Sequence, residues 1–165
     1  NGSGYKYPSV SSIMRPLPYD NIVYAGHSYE PFAFTQQATY RGFPAGQPFS
    51  DHDRRIIQGD ARRLLNWSRQ HNVPVILGEF GCIGYTDGMT EGPVAPQDCG
   101  QYADTVYRAY VENGVGITWW SLEKEKTFFI RPSTDACAEQ KQCPIWMPQE
   151  RVPDPFILQG LRLRE

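Results

Sequence analysis

The sequence lacks an excess of charge of either sign. Its 165 residues carry 16 Lys and Arg against 18 Asp and Glu, which leaves a formal net charge of −2. Domains that bind nucleic acid usually carry a clustered basic excess, so this balance argues against a nucleic-acid partner. The sequence also lacks any apolar run near the roughly 18 residues that cross a membrane. We therefore expect neither a nucleic acid nor a membrane among its partners.

The sequence also lacks a C-x-x-C pair, and its histidines do not stand at the spacing of a zinc site. We therefore predict no metal centre. The four cysteines are Cys82, Cys99, Cys137 and Cys143. Four cysteines allow three disulfide connectivities, and we favour the local one, Cys82–Cys99 with Cys137–Cys143. Two disulfides predict a secreted, extracellular protein, whereas four reduced cysteines in a cytosolic chain are the alternative.

In contrast to these absent features, aromatic residues, prolines and glycines are abundant in the sequence. Aromatic residues make up 13% of the chain, which also has 14 prolines and 15 glycines. Many aromatic residues among many loops suit a secreted protein that meets a flat ligand, although a dense aromatic core has the same composition. The chain begins at Asn1 without a methionine, so we expect a processed or excised piece whose targeting signal is not visible.

The order of apolar segments predicts three strands, each followed by a helix. The predicted strands cover residues 21–29, 73–80 and 115–122. The first helix is predicted at 51–71, and the second ends at Asn113-Gly114. Each helix has one apolar stripe, formed by Ile57, Ala61, Leu64 and Leu65 in the first and by Tyr102, Val106, Ala109 and Tyr110 in the second. This alternation predicts an α/β fold with a parallel sheet.

The remaining segments are predicted to be irregular, apart from a short last helix. Residues 1–19 form a Gly/Ser/Pro-rich lead-in, and a long loop runs to Pro153 before a terminal helix around 155–163. We predict a single domain over 1–165. Its three parallel strands cannot close a barrel, which takes eight strands and about 250 residues. Because open sheet edges promote aggregation, we expect the chain to self-associate, to dock on a partner or to be a fragment.

Functional groups in parallel α/β folds lie at the carboxyl ends of the strands. These ends carry His27 and Tyr29 on the first strand, Glu79 on the second, and Trp119 with Trp120 on the third. Because side chains alternate along a strand, we expect His27 and Tyr29 to share one face. On the third strand, Trp119 is predicted to lie in the core and Trp120 to point into the site.

Alternation also makes a prediction for the second strand. It groups Glu79 with Val75 and Leu77, two apolar residues of the same strand. A carboxylate at the end of such an apolar run costs free energy unless hydrogen bonds or a cation satisfy it. We therefore predict either a satisfying neighbour or a chemical role for Glu79.

Three motifs occur in order along the chain: PLPYDNIVYAGHSYEPFAFTQQ, VPVILGEFG and ITWWSLE. Together they resemble the C-terminal half of glycoside hydrolase family 5, the cellulase-type retaining β-glycanases. The first is similar to the family's sixth barrel strand with its H-x-Y motif. The second is similar to the seventh strand, whose G-E-F/Y-G glutamate is the nucleophile, and the third to the eighth strand with its sugar-binding tryptophan. The resemblance runs from about Arg15 to Leu163.

The resemblance implies a fold and an activity. The fold is a partial, half-barrel-like fragment of a (β/α) TIM barrel, with strands 6–8 and their helices. Glu79 is then the nucleophile, His27 and Tyr29 position it and the sugar, and Trp120 stacks on the sugar ring. The implied reaction is retaining endo-β-1,4-glucan hydrolysis without a cofactor. Mannan, xylan and mixed-linkage glucan are other substrates within the resemblance.

One part of the family pattern is absent from this sequence. The family's acid/base residue is a glutamate of an Asn-Glu pair on the fourth barrel strand, and retaining hydrolysis uses two carboxyl groups roughly 5 Å apart. The resemblance therefore implies an acid from a missing N-terminal half-barrel or from another copy of the chain. Glu30 is turned away by alternation, and Glu123 and Glu125 belong to a mixed-charge loop that we expect to be solvated. Ser28 stands where relatives often carry an aromatic residue.

Each candidate residue also has a purely structural interpretation. Glu79 is then a buried carboxylate satisfied by backbone N–H groups or an arginine, His27 a core histidine, and Tyr29 a buried ring with an exposed hydroxyl. Two functions stay open at this point. One is an endoglucanase with Glu79 as nucleophile, and the other is a non-catalytic half-barrel that self-assembles and at most binds polysaccharide.

Overall fold

The structure is a computed structural model that describes residues 15–38, 43–83, 94–120, 130–132 and 151–163. The strands in these ranges are β1 (Tyr24–His27), β2 (Val75–Phe80), β3 (Gly116–Trp119), β4 (Ile130–Pro132) and β5 (Arg151–Pro153). The helices are α1 (Phe32–Thr35), α2 (Asp51–His71), α3 (Pro96–Tyr110) and α4 (Pro155–Gly160), with a 3₁₀ turn at Val111–Asn113.

The first three strands form one parallel sheet with β2 in the middle. Tyr24 of β1 pairs with Val75, and Ile76 of β2 pairs with Gly116. Helix α2 lies in the connection from β1 to β2, and α3 in the connection from β2 to β3. Parallel neighbours need such crossover connections because a tight turn cannot join them. The predicted α/β fold class is confirmed.

Helix α2 has the predicted bounds because both of its ends are specified locally. Ser50 Oγ accepts the N–H of Asp53, and the Asp53 carboxylate accepts the N–H of Ser50 at 2.8 Å, which together form a capping box. The helix ends at Asn72, whose φ of 52° lies in the left-handed region. The predicted apolar stripe of α2 is buried: Ile57, Ala61, Leu64 and Leu65.

Helices α3 and α4 approach each other closely through two glycines. A Cβ atom on Gly100 would lie 2.6 Å from the carbonyl oxygen of Phe156, and one on Gly160 would lie 2.9 Å from Cβ of Ala103. Only residues without a side chain allow this separation of the two backbones. The C-terminal end of the α3 segment is at Gly114 as predicted, where φ is 81°.

The core lies on the side of the sheet that the helices cover. Tyr102 of α3 is fully buried there, and four aromatic rings lie with their centroids 5.9–6.5 Å from its ring: Phe34, Phe49, Phe80 and Trp119. Trp119 packs on the core as predicted. The other side of the sheet, which we call the open face, exposes Ala25, Gly116 and Thr118. No strand in the described part of the chain pairs with the outer edges of β1 and β3.

The structure corrects the predicted connections. Helix α1 lies where a loop was expected, and β4 and β5 form an antiparallel pair in the predicted long loop, with Ile130 opposite Pro153. Elements of three or four residues are too short to repeat a helical or a strand pattern, so the sequence pattern does not predict them. The lead-in up to residue 14 is outside the described residues. No described helix has the length and apolar character needed to cross a membrane.

Candidate active site

The carboxyl ends of β1 and β2 bring His27 and Glu79 side by side. The two residues are register partners across the strands. Beyond them, the N–H of Ser28 donates to the carbonyl oxygen of Glu79 at 2.9 Å. Sheet pairing therefore continues to the point where the candidate side chains begin, and it holds both backbones in place there.

A bulge in β2 decides where the Glu79 side chain points. Leu77 pairs with Ile117 and Phe80 with Trp119, so β2 advances by three residues where β3 advances by two. The extra residue interrupts side-chain alternation. As a result Leu77 and Phe80 are both buried, whereas Glu79 lies beside His27. The predicted grouping of Glu79 with Val75 and Leu77 is therefore wrong, because strict alternation does not apply across a bulge.

Gly78 makes room at this bulge. A Cβ atom on Gly78 would lie 3.3 Å from Cβ of Ala25 and 3.6 Å from Cδ2 of His27. The Gly78 position therefore faces the open side of the sheet directly beneath the His27 ring. A side chain at this position would compete with the imidazole for space. Glycine thus allows the ring to lie beside the Glu79 carboxylate.

The Glu79 carboxylate has two side-chain neighbours, and both contact the same oxygen. The Tyr29 hydroxyl donates to Oε2 at 3.0 Å, and His27 Nδ1 lies 3.1 Å from Oε2. The side chain of Glu79 is 22% exposed and that of His27 is 36% exposed, so the group is open to a ligand from the open face. Among the described residues, Oε1 accepts no hydrogen bond.

Burial and the negative charge of Glu79 both raise the pKa of Tyr29 well above its ordinary value. Burial is the larger cause, followed by the charge of Glu79 and the hydrogen bond to it. The phenol therefore stays protonated at neutral pH and remains a donor to the carboxylate. A protonated donor on Oε2, together with an Oε1 that no described residue shares, fits a group that reacts through Oε1.

Helix α1 holds the Tyr29 backbone. The Thr35 hydroxyl donates to the carbonyl oxygen of Tyr29, and the ring of Phe32 meets the Tyr29 ring edge-on at 6.5 Å. The carbonyl of Thr35 in turn accepts the N–H of Ile83 at 3.0 Å, which ties α1 to the segment after β2. Thr35 was not among the predicted site residues. Helix α1 spans only four residues, and a single buried threonine belongs to no repeating sequence pattern that would indicate its role.

The tryptophans lie at the same edge of the sheet. Trp120 directly follows β3 and is 41% exposed. Its backbone N–H donates to the carbonyl of Phe80 at 2.9 Å. Trp119 instead packs edge-on against Phe80 at 5.1 Å. The structure thus brings His27, Tyr29 and Glu79 into direct contact and leaves Trp120 exposed at the neighbouring strand end.

Cys82 and Cys99 form a disulfide that joins the segment after β2 to the first turn of α3. Both cysteines are buried. Cys137 and Cys143, the other predicted pair, are outside the described residues, as are Glu123 and Glu125. In the ranges that the structure describes, no group of three or more His, Cys, Asp or Glu side chains could hold a metal ion.

Glu30 was the remaining carboxylate near the strand end. Its Oε2 accepts the N–H of Phe32 at 3.1 Å, and its charge contributes to a raised pKa of Asp60, a residue of α2. The Glu30 carboxylate therefore interacts with α1 and with the helix side of the sheet. Its position agrees with the prediction that alternation turns Glu30 away from Tyr29.

Comparison with known proteins gives a family and a fold. The family model for cellulase, glycosyl hydrolase family 5, matches residues 2–126. Comparison with curated proteins gives no match. Among solved structures, an endoglucanase matches with a TM-score of 0.68 at 19% identity, over 94% of this chain and 44% of its own. A hyperthermophilic endo-β-1,4-glucanase in complex with substrate matches with a TM-score of 0.67 at 22% identity, over the same shares of the two chains.

A third structure, Cel5A of Thermotoga maritima in complex with cellobiose, matches with a TM-score of 0.69 at 16% identity. The match covers 93% of this chain and 44% of the Cel5A chain. The chain thus spans less than half the length of these solved structures. Its three-stranded parallel sheet and helices correspond to a fragment of their barrel.

Proposed function

This chain belongs to glycosyl hydrolase family 5, the cellulase family, and from that membership we propose that it carries the nucleophile of a retaining endo-β-1,4-glucanase. The substrate is a β-glucan or a related polysaccharide. Glu79 is the nucleophile, His27 and Tyr29 position it and the sugar, and Trp120 binds a sugar ring. The observation that supports this proposal most is the Glu79 carboxylate, because Tyr29 and His27 both contact the same one of its two oxygens.

In the proposed mechanism Oε1 of Glu79 attacks the anomeric carbon of the glucan. The bond from that carbon to the glycosidic oxygen breaks, and an acid protonates the leaving oxygen. A glycosyl ester on Glu79 remains, which water then hydrolyses with retention of configuration. Tyr29 and His27 hold Oε2, so that Oε1 faces the sugar. The exposed indole of Trp120 provides a flat apolar surface for the C–H face of a ring.

The acid is proposed to come from outside the described residues. In the described part of the chain the Glu79 carboxylate contacts the side chains of His27 and Tyr29, and neither is a carboxylic acid. A further barrel segment or a second copy of the chain would provide the second carboxyl group and would also cover the open face. We further propose that the protein is exported, since the Cys82–Cys99 disulfide is stable in an oxidising compartment.

A second function is favoured by the same missing carboxyl group. A chain that spans 44% of its solved relatives, and whose described residues place no second carboxyl group beside Glu79, fits a non-catalytic module that self-assembles and at most binds polysaccharide. Trp120 and Tyr29 would then be binding residues, and Glu79 would accept hydrogen bonds from sugar hydroxyl groups.

Covalent trapping separates the two functions without need of the acid. The reagent is a 2-deoxy-2-fluoro-β-cellobioside with a dinitrophenolate leaving group, which departs without being protonated. The fluorine slows hydrolysis of the glycosyl ester, so the ester accumulates. We expect mass spectrometry to find the label on Glu79 in the wild-type chain and to find none in Glu79→Gln. A folded wild-type chain that stays unlabelled, but still binds cello-oligosaccharide in calorimetry, would instead identify the binding module.

A further inference from the structure

Ser28 lies between His27 and Tyr29 in sequence, but its side chain is on the opposite side of the sheet. It is 7% exposed, and its Oγ lies 3.4 Å from Oδ2 of Asp60 on α2. Asp60 is itself 3% exposed. Ser28 therefore connects the candidate active site to the helix layer behind it.

Asp60 is an unexpected residue for its position. It belongs to the buried face of α2, and the other buried residues of this helix are apolar: Ile57, Ala61, Leu64, Leu65 and Trp67. Among the described residues its carboxylate has two hydrogen-bonding partners, the Ser28 hydroxyl and the Arg63 guanidinium, although a carboxylate can accept about four hydrogen bonds. Burial and the charge of Glu30 raise its pKa, while Arg63 and the hydroxyl of Ser28 oppose that rise. An apolar residue would avoid this desolvation cost.

The backbone of Ser28 contacts the proposed nucleophile directly. Its N–H donates to the carbonyl oxygen of Glu79 at 2.9 Å, immediately beyond the bulge in β2. At a bulge the regular ladder does not determine the direction of a side chain. The orientation of Glu79 therefore depends on how firmly Ser28 is held, and Asp60 is the group that holds the Ser28 side chain.

We propose that Ser28 and Asp60 are positioning residues for Glu79. Asp60, oriented by Arg63, anchors Ser28 to α2, and the Ser28 backbone keeps the Glu79 carbonyl in register. His27 and Tyr29, the two residues that flank Ser28, then meet Oε2 from the open face. The proposal rests on the proposed function of Glu79 as nucleophile. Neither Ser28 nor Asp60 touches the sugar, since both side chains are buried on the helix side.

The test measures the rate of Glu79 labelling by the fluorinated cellobioside in the whole chain. Ser28→Ala and Asp60→Asn are expected to lower the first-order labelling constant about tenfold, because small displacements of reacting groups lower rates by such factors. The dissociation constant of the reagent should change by less than about twofold, since the sugar contacts are intact. Ser28→Thr retains the hydroxyl and should restore most of the rate.

Ser68→Ala is the matched control. It removes a half-buried hydroxyl that donates to the carbonyl of Val73 at the far end of α2, so it perturbs the same helix without touching Ser28. Equal slowing in Ser28→Ala and Ser68→Ala, or no slowing in Ser28→Ala and Asp60→Asn, would overturn the positioning role. A wild-type chain without any label would overturn the proposed function itself, which is a distinct result.

Discussion

Glu79, His27 and Tyr29 form one group, because both neighbours contact Oε2 and Oε1 is shared with no described residue. The proposed mechanism uses this asymmetry, with Oε2 as the hydrogen-bonded anchor and Oε1 as the attacking oxygen. Tyr29 is the better defined of the two neighbours, because its backbone is held by Thr35 and its pKa is raised by burial and by Glu79. Its hydroxyl is therefore a permanent donor in the neutral pH range.

Tyr29→Phe is expected to lower the first-order labelling constant of Glu79 by about 10- to 100-fold, since hydrogen bonds to charged groups contribute about 1.5–3 kcal/mol. Because the pKa of Tyr29 is raised above its ordinary value of about 10, the hydroxyl stays protonated and any alkaline loss of rate below about pH 10 has another origin. The rate, measured from about pH 6 to about pH 9, should therefore fall by a constant factor in the variant. Tyr107→Phe, on the outer side of α3, is the control, and equal rates in wild type and Tyr29→Phe would contradict the role of the hydroxyl.

At the scale of helices and strands, the helix layer depends on the close approach of the α3 and α4 backbones. α3 contacts the sheet through Tyr102 and contacts α4 through Gly100 and Gly160. The atoms near Gly100 belong to the backbone and Cβ of Phe156, which cannot rotate away. Gly59 of α2 is different, because the atoms nearest to its missing Cβ are the ends of the Arg62 and Arg63 side chains.

Gly100→Ala is expected to lower the free energy of unfolding by about 1–3 kcal/mol, because the added methyl group forces the two helices apart. Gly59→Ala is the matched control and should raise the same quantity by about 0.5–1 kcal/mol, since alanine favours a helix and nothing rigid obstructs it. Urea denaturation followed by circular dichroism measures both. Should Gly100→Ala prove as stable as the wild type, the close approach of α3 and α4 would be wrong.

For the whole molecule, the incomplete barrel is the dominant feature. The open face has no cover in the described part of the chain, and Val23 just before β1 is 55% exposed. Both outer strand edges are unpaired among the described residues. Exposed edges and apolar surface favour association, so we propose that the isolated chain pairs with another copy through this side.

Val23→Lys should reduce that association, because a charge beside the β1 edge opposes strand pairing. Sedimentation velocity over a concentration series should show the wild-type mass rise with concentration and the variant remain closer to the monomer. Leu163→Lys adds the same charge at another exposed apolar residue, 52% exposed and distant in sequence from the sheet, and should behave as the wild type. A wild-type chain that is monomeric at every concentration would argue against self-assembly.

The sequence by itself determined the order of the three parallel strands and their helices, the bounds of α2, its buried stripe and the three motifs of the family. These features depend on local signals: a capping box, helical periodicity, and short runs of letters around His27, Glu79 and Trp120. Local signals suffice when an element is long enough to repeat its pattern or when a motif is contiguous. They also sufficed for the core position of Trp119, since β3 alternates regularly.

Only the tertiary structure decided the direction of Glu79 and the contacts that hold it. The bulge at Gly78 is a property of the pairing of β2 with β1 and β3, so no pattern within β2 alone could predict it. The hydrogen bond of Thr35 to Tyr29 joins residues 6 apart in sequence, and that of Ser28 to Asp60 joins residues 32 apart. Both contacts exist only after the helices pack on the sheet. Side-chain alternation is a local rule, whereas the register is set by the neighbouring strands. At the candidate site the register introduces a bulge, and the direction of Glu79 therefore departs from the one that alternation predicts.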